Sequence, residues 1–147
     1  MTYDVQPAAG KFYGAKFVYP VRVYYEDTDA GGIVYYAHYL RFAERARTEF
    51  IRALGCNQQD ALEAEDKCGF TVRSCTTDYK LPAVLDDALA VTCELRDAKG
   101  ASAVMFQEIY RGDTLLATVE VKVAYVNLGR KRPVRIPSEL LNKLSCL

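Results

Sequence analysis

The sequence has no excess charge of either sign, no long apolar run and only one histidine. Its 19 Lys and Arg residues balance 19 Asp and Glu residues, so the composition does not indicate a nucleic acid partner, which would favour a clustered basic excess. Its apolar runs are far shorter than the roughly 18 residues that span a bilayer, so no transmembrane segment is predicted. The N-terminal segment lacks the basic and apolar regions of a secretory signal peptide, and we therefore expect a cytoplasmic protein.

The cysteines show no Cys-x-x-Cys spacing and have no histidine close to them in the sequence. A metal site is therefore not predicted, and their number, five, is odd for a disulfide framework. Because free cysteine behaves as a small hydrophobe, we expect reduced and mostly buried side chains. The cysteines are Cys56, Cys68, Cys75, Cys93 and Cys146.

A chain of 147 residues fits one domain that can bury a substantial core. Residues 1–16 are rich in Ala and Gly and predict a flexible N-terminal arm, followed by a single domain over residues 17–147. Valine and tyrosine dominate residues 17–25, which favours a strand. Over residues 36–54 apolar side chains recur at three- and four-residue spacing, and Gly55 follows where a helix would end. The sequence thus predicts one long amphipathic helix.

After a short helix at residues 58–66, the pattern becomes extended until a last short helix at residues 138–147. The last three of four further strands are joined by short turns, which predicts an antiparallel meander. Five strands and one apolar helix indicate an α+β fold in which an antiparallel sheet curls around the helix. Dimerisation could cover the edges of such a sheet. The four further strands are predicted at residues 70–79, 88–97, 102–110 and 115–126.

The side of the long helix opposite its apolar stripe carries many charged residues. We interpret them as a solvated or interfacial lattice of charges, since exposed ion pairs on helices usually cover surface. These residues are Arg41, Glu44, Arg45, Arg47, Glu49 and Arg52.

The segment EDTDAGG joins the first strand to the long helix and concentrates acids and glycines. Gly31 and Gly32 allow the chain to turn sharply into a helix N-terminus, whose free N–H groups can stabilise an oxygen that becomes negative. Glu26, Asp27 or Asp29 could supply a carboxylate that attacks a carbonyl or activates water. The pattern therefore indicates acyl-group hydrolysis, although the same residues also build ordinary turns, and paired carboxylates could hold a divalent cation.

The string VRVYYEDTDAGGIVYYAHYLRFAERARTEF resembles the hotdog-fold acyl-CoA thioesterases of the 4-hydroxybenzoyl-CoA thioesterase superfamily, and specifically the tol-pal-associated YbgC group. DYKLPAVLDD and VNLGRKRPVRIP resemble later segments of that group, so the similarity covers residues 17–137. The resemblance implies a hotdog fold, a five-stranded antiparallel sheet wrapped around one long central helix. It further implies hydrolysis of thioesters of coenzyme A, or of acyl carrier protein, to a free acid and a thiol. No cofactor is expected beyond the coenzyme A of the substrate.

The resemblance also implies roles for individual residues. Asp29 corresponds to the second aspartate of the family's Asp-x-Asp and is expected to be the catalytic carboxylate, whereas Asp27 is expected to be structural. The backbone N–H of Tyr36 corresponds to the group that polarises the thioester carbonyl. The approach to the site is expected to be shaped by Gly32, Ile33, Val34 and Tyr35.

At two positions the sequence departs from the family pattern. Relatives often have His at the position of Tyr36, and commonly Asn or Ser at the position of His38. His38 could therefore be a catalytic residue that assists proton transfer. It could equally do no more than hydrogen-bond the turn or a partner subunit.

A cluster of basic residues, Arg130, Lys131 and Arg132, follows the last long strand. Coenzyme A carries phosphates, so this basic cluster could bind its nucleotide end, or it could be a solvated loop. The resemblance implies a homodimer or homotetramer with the active site at the dimer interface. An apolar tunnel along the helix, with Phe42 and Phe50 in its wall, would then set the acyl length.

Two other functions remain open from the sequence. A hotdog hydratase or dehydratase would need a histidine and an acid together, here His38 with Glu44. A non-catalytic hotdog dimer could instead bind acyl thioesters or serve as a scaffold for the tol-pal envelope proteins.

Overall fold

The computed structural model describes all 147 residues. None of its helices combines the length and the apolarity needed to cross a membrane. The helices are α1 (His38–Ala53), α2 (Gln58–Glu63) and α3 (Ser138–Ser145), and a 3-10 turn covers Tyr25–Asp27. The strands are β1 (Lys11–Tyr13), β2 (Lys16–Arg22), β3 (Cys68–Tyr79), β4 (Ala88–Lys99), β5 (Ser102–Arg111), β6 (Thr114–Asn127) and β7 (Arg132–Pro133).

All the strands belong to one antiparallel sheet with the order β1-β2-β4-β5-β6-β3, and β7 pairs with β6. Helix α1 packs on the inner face of this sheet, where it contacts β2, β4 and β6. Its apolar stripe is buried there, because an amphipathic helix is stable only when that stripe is removed from water. The predicted α+β class, an antiparallel sheet wrapped around one long helix, is confirmed.

The sheet has seven strands, so the predicted number of five is wrong. The segment predicted as a flexible arm contains β1, which forms a hairpin with β2 through Gly14 at φ +64°. The Phe12 ring packs edge-on against Phe17 at 5.1 Å between centroids, which holds the hairpin to the core. At the other end of the chain, the two-residue strand β7 adds to β6. The five long strands, β2 to β6, are those that the sequence predicts.

Phe42 and Phe50 are fully buried core residues with no exposed surface. Phe50 packs against the rings of Phe12 and Phe17, at 5.8 and 6.0 Å between centroids. The expectation that Phe42 and Phe50 line an acyl tunnel is therefore wrong for this chain, because a tunnel wall must be accessible. They hold the helix to the sheet instead.

One of the charged residues of α1 is buried. Arg47 is 9% exposed, and its guanidinium donates to Gln107 Oε1 at 2.9 Å and to the Glu44 carboxylate. Gln107 in turn donates to the carbonyl oxygens of Ala43 at 2.9 Å and Thr92 at 3.2 Å. Every buried polar side-chain atom has a partner, as the low dielectric of a core requires. Arg47 is thus an internal link between helix and sheet rather than part of a solvated lattice.

All five cysteines are free in this structure. Only Cys93 is buried, whereas Cys75 and Cys146 are exposed, so the prediction of mostly buried cysteines is wrong. Burial raises the pKa of the Cys93 thiol far above its ordinary value and keeps it protonated. Cys75 is exposed because β3 is the outer strand of the sheet.

We expect Phe50→Ala to lower the free energy of unfolding by about 3–5 kcal/mol, since it removes a fully buried ring and leaves a cavity. Urea unfolding followed by circular dichroism measures this. Tyr3→Ala is the matched control, because Tyr3 is 77% exposed and its loss should change stability by no more than about 0.5 kcal/mol. Equal stability of both variants would show that Phe50 is not a core residue.

Candidate active site

The loop between the 3-10 turn and α1 is closed by backbone hydrogen bonds. The Asp29 N–H donates to the Ile33 carbonyl at 2.9 Å, and the Gly32 N–H donates to the Asp29 carbonyl at 3.0 Å. Gly32 has φ +81°, which a residue with a side chain adopts only at a cost of about 1–2 kcal/mol. Thr28 and Val34 form an isolated bridge across the base of the loop. Asp29 is therefore presented from a tight, well-defined turn.

The Asp29 carboxylate is held through one of its oxygens. Oδ1 accepts the Gly31 N–H at 2.8 Å, while Oδ2 accepts no hydrogen bond within the chain. One oxygen thus orients the group and the other is available for chemistry. No group of three or more His, Cys, Asp or Glu side chains is placed to hold a metal ion.

The backbone N–H groups of Tyr36 and Ala37, just before α1, have no hydrogen-bond partner within the chain. The carbonyl groups beside them are both engaged. The Tyr35 carbonyl accepts the His38 N–H at 2.8 Å, and the Tyr36 carbonyl accepts the Tyr79 hydroxyl at 2.8 Å. Because a peptide group is planar, a bound carbonyl also fixes the direction of its N–H. Two adjacent, oriented donors are therefore free at this helix start.

Asp29 and Tyr36 border the same open cleft, with a volume of about 400 Å³. Ile33, Val34 and Tyr35, predicted to shape the approach, also line the cleft, whereas Gly32 acts only through the turn. No role is predicted from the sequence for the rest of the wall, although part of it belongs to DYKLPAVLDD, which resembles a segment of the YbgC group. That remaining wall consists of Tyr39, Tyr79, Lys80, Leu81 and Pro82.

The segment over residues 80–87 forms one wall of the cleft and is fixed at several points. The Ala83 N–H donates to the Tyr39 hydroxyl at 2.9 Å, and the Val34 N–H donates to the Ala83 carbonyl at 2.9 Å. The Asp87 carboxylate accepts the Val84 N–H at 2.9 Å and Arg111 at 2.8 Å. This wall is therefore tied both to the helix and to the loop that carries Asp29.

Three tyrosines of the cleft wall, Tyr35, Tyr39 and Tyr79, are neutral phenols. A hydrogen bond with Tyr36 raises the pKa of Tyr35, and partial burial raises the pKa of Tyr39 and of Tyr79. None of these three phenols is therefore ionised near neutral pH, and none can serve there as a base. Asp29 is the only carboxylate among the residues that line the cleft.

Asp27 and His38 form a pair behind the cleft. Asp27 is 5% exposed, and its carboxylate accepts the Tyr24 N–H at 2.8 Å and lies 2.9 Å from His38 Nδ1. His38 is not among the residues that line the cleft. Glu44 bonds Arg47 instead, so the His38–Glu44 pair required by a hydratase is not formed. Asp27 is thus buried and hydrogen-bonded through both carboxylate oxygens, and its structural role stays a prediction.

The basic cluster lies far from the cleft. Arg130 to Arg132 follow Asn127, which pairs with Cys68 at one end of β3, whereas Tyr79 lines the cleft at the other end. The two ends of β3 are roughly 35 Å apart. Arg130 is also 3.7 Å from the Asp66 carboxylate. Within one chain, therefore, the basic cluster and Asp29 cannot contact one small ligand group.

A family model described as the thioesterase-like superfamily matches residues 23–144, a range that contains the cleft and the long helix. The chain belongs to this superfamily. The acyl-CoA thioesterase YbgC of Haemophilus influenzae is 49% identical over 84% of this chain and 90% of its own length. The acyl-CoA thioester hydrolase YbgC of Escherichia coli O6:H1 is 46% identical over 85% of this chain and 92% of its own length. The predicted membership in the YbgC group of thioesterases is confirmed.

Solved structures agree with this family assignment. A probable thioesterase from Bartonella henselae superposes with a TM-score of 0.80 at 35% identity, over 84% of this chain and all of that chain. A 4-hydroxybenzoyl-CoA thioesterase superposes with a TM-score of 0.81 at 19% identity, over 89% of this chain and 99% of its own. The second likeness concerns the fold alone, and the predicted hotdog fold is confirmed.

Asp87 provides a pH-dependent test of the cleft wall. Burial raises the pKa of Asp87, but the Val84 N–H and the Arg111 guanidinium together lower it by more, so the pKa lies below its ordinary value. Such a carboxylate stabilises the folded state above its unfolded pKa of about 4, and that stability is lost as the pH falls through the lower folded value. We expect Asp87→Asn to lower the free energy of unfolding by about 1–2 kcal/mol at pH 7. This difference from wild type should shrink progressively below about pH 4.

Urea unfolding of both proteins at a series of pH values measures the difference. Asp86→Asn is the matched control, because Asp86 is exposed, its carboxylate makes no hydrogen bond, and Asn tolerates its φ of +71°. A loss for Asp87→Asn that stays constant down to pH 2 would contradict the ionised pair.

Proposed function

We propose that this thioesterase-family chain hydrolyses acyl-CoA thioesters to a free acid and coenzyme A, with Asp29 as the catalytic carboxylate. The observation that carries the proposal is that the free oxygen of Asp29 and the unpartnered N–H of Tyr36 belong to residues that border one cleft. The similar YbgC proteins of Haemophilus influenzae and Escherichia coli, an acyl-CoA thioesterase and an acyl-CoA thioester hydrolase, supply the substrate class.

The thioester carbonyl oxygen accepts the Tyr36 N–H, and the carbonyl carbon then faces the Asp29 carboxylate. Attack on that carbon turns the carbonyl oxygen into an oxyanion, so a hydrogen bond that strengthens with the charge lowers the barrier. Asp29 either attacks the carbon itself, forming an anhydride that water then hydrolyses, or removes a proton from the attacking water. Both routes break the carbon–sulfur bond, and the thiolate leaves and takes up a proton.

The first test is thiol release from a panel of short-, medium- and long-chain and aromatic acyl-CoAs. We expect Asp29→Asn to lose at least about a hundredfold in kcat, which is about 2.7 kcal/mol of transition-state stabilisation. The isosteric amide removes the charge but keeps an oxygen that can accept the Gly31 N–H.

Asp113→Asn is the control for this substitution, since Asp113 is exposed in the turn between β5 and β6. Wild-type activity in the Asp29 variant would reject the carboxylate assignment. No thiol release by the unmodified protein from any acyl-CoA would reject the hydrolase and favour the binding or scaffold function.

We also propose that the chain forms a dimer in which β3 pairs with β3 of a second copy. β3 is an outer strand, and most of its residues are exposed, including Val72 at 51%. An unpaired edge of this kind favours pairing with another strand. Two-fold antiparallel pairing would place the Cys68 end of one copy beside the Tyr79 end of the other. The basic cluster of one copy would then approach the cleft of its partner and could bind the phosphates of coenzyme A.

Charge reversal tests this arrangement. We expect Lys131→Glu/Arg132→Glu to raise KM for acyl-CoA about tenfold, because contacts worth about 1.4 kcal/mol are lost. Hydrolysis of the matching acyl-pantetheine, which lacks the phosphates, should be unchanged and serves as the control substrate.

Mixed dimers of this double variant with Asp29→Asn decide which copy supplies the charges. If the basic cluster acts across the interface, one of the two sites in a mixed dimer has both an intact Asp29 and an intact basic cluster. Activity with the low wild-type KM should then reappear on mixing. Its absence in verified mixed dimers would contradict the shared site.

Assembly into a tetramer, action on acyl carrier protein thioesters and contact with tol-pal envelope proteins stay predictions from the family resemblance. The cytoplasmic location and the absence of a cofactor likewise stay predictions.

A further inference from the structure

Asp27, Tyr35 and His38 are hydrogen-bonded to one another in a closed ring. The Tyr35 N–H donates to the Asp27 carbonyl at 2.9 Å, and the His38 N–H donates to the Tyr35 carbonyl at 2.8 Å. The third link joins side chains, His38 Nδ1 and Asp27 Oδ1, at 2.9 Å. Because an ionised carboxylate can only accept, Nδ1 is the donor in this link. We call these three residues the Asp27 ring.

One hydrogen bond of the Asp27 ring ends on the peptide group that carries the Tyr36 N–H. That N–H shares a planar peptide group with the Tyr35 carbonyl, so the bond from His38 to this carbonyl sets the direction of the N–H. Asp29 follows Asp27 by two residues, so the hydrogen bonds that fix Asp27 also hold the segment that carries Asp29. The ring therefore fixes the donor and the carboxylate of the cleft relative to each other.

The start of α1 needs this external support. Its N-cap residue is Ala37, which provides no side-chain cap, and the first turn contains no acidic residue. A carboxylate near a helix start compensates for the missing acidic residue, since its negative charge opposes the positive end of the helix dipole. Asp27 is the carboxylate in this position, and His38 links it to the first residue of the helix.

The link between Asp27 and His38 is largely shielded from water. The His38 side chain is 21% exposed and that of Asp27 7% exposed. Hydrogen bonds to a charged group in such surroundings are stronger than exposed ones. His38 does not line the cleft that Asp29 and Tyr36 border, and its Nδ1 is engaged by Asp27.

We propose that His38 is a positioning residue, whose Nδ1–H holds Asp27 and thereby aims the Tyr36 N–H at the thioester oxygen. The inference rests on the proposed hydrolysis and assigns His38 a part in it that involves no proton transfer. The proposal predicts that full activity requires the hydrogen bond of Nδ1 to Asp27 and requires no contact of Nε2.

Two amide substitutions separate the nitrogens, because the amide nitrogen of Asn can occupy the position of Nδ1 and that of Gln the position of Nε2. We expect His38→Asn to keep kcat within about threefold of wild type. His38→Gln and His38→Ala should lose at least about tenfold in kcat with KM nearly unchanged, the pattern of an interaction lost only in the transition state.

Equal losses in His38→Asn and His38→Ala, or wild-type kcat in His38→Ala, would overturn the proposal. Retention in His38→Gln with loss in His38→Asn would assign the function to Nε2 and overturn it as well. Circular dichroism of each variant verifies the fold before kinetics.

The amide resonance of Tyr36 gives a readout that needs no substrate. In ¹⁵N–¹H spectra it should move in His38→Ala and His38→Gln but stay near its wild-type position in His38→Asn. If the unmodified protein releases no thiol, the proposed hydrolysis fails, while this spectrum still decides whether His38 positions the amide. An unmoved Tyr36 resonance in His38→Ala would overturn the positioning role.

Discussion

The bonds of the buried Asp27 carboxylate are the constraint on which the cleft depends. One carboxylate oxygen accepts the Tyr24 N–H and the other lies 2.9 Å from His38 Nδ1. The backbone carbonyl of Asp27 accepts the Tyr35 N–H. The segment after β2, the loop and the start of α1 therefore meet at Asp27. Without these bonds, the loop that presents Asp29 and the free Tyr36 N–H would have no common reference point, and transition-state stabilisation by hydrogen bonds requires fixed geometry.

The sheet holds α1 in place and carries the segment that forms one wall of the cleft. Core side chains of α1 such as Phe50 hold the helix against the strands, and the segment over residues 80–87 closes one side of the cleft. The outer strand β3 remains exposed along most of its length, and the basic cluster lies at its far end. Under the proposed pairing of β3 with β3, a second copy would bring its basic cluster towards the cleft.

Much of the fold could be predicted because it follows local periodicity. The long helix and the five long strands repeat at spacings that the sequence displays. The resemblance singled out Asp29 and Tyr36, which line one cleft and whose catalytic roles stay predictions. The Asp27–His38 pair joins residues 11 apart, and the Arg47–Gln107 pair residues 60 apart, so no local pattern indicates either. The hairpin of β1 was missed because its turn at Gly14 lies in a segment whose composition is typical of a flexible arm.

The most direct test of the central claim is a crystal structure of the Asp29→Asn variant with an intact acyl-CoA bound. The geometry predicts that the thioester oxygen lies about 3 Å from the Tyr36 nitrogen, with the carbonyl carbon facing the substituted side chain. A thioester bound in the cleft with its oxygen beyond hydrogen-bonding distance of both Tyr36 and Ala37 would contradict it, as would a thioester bound away from residue 29.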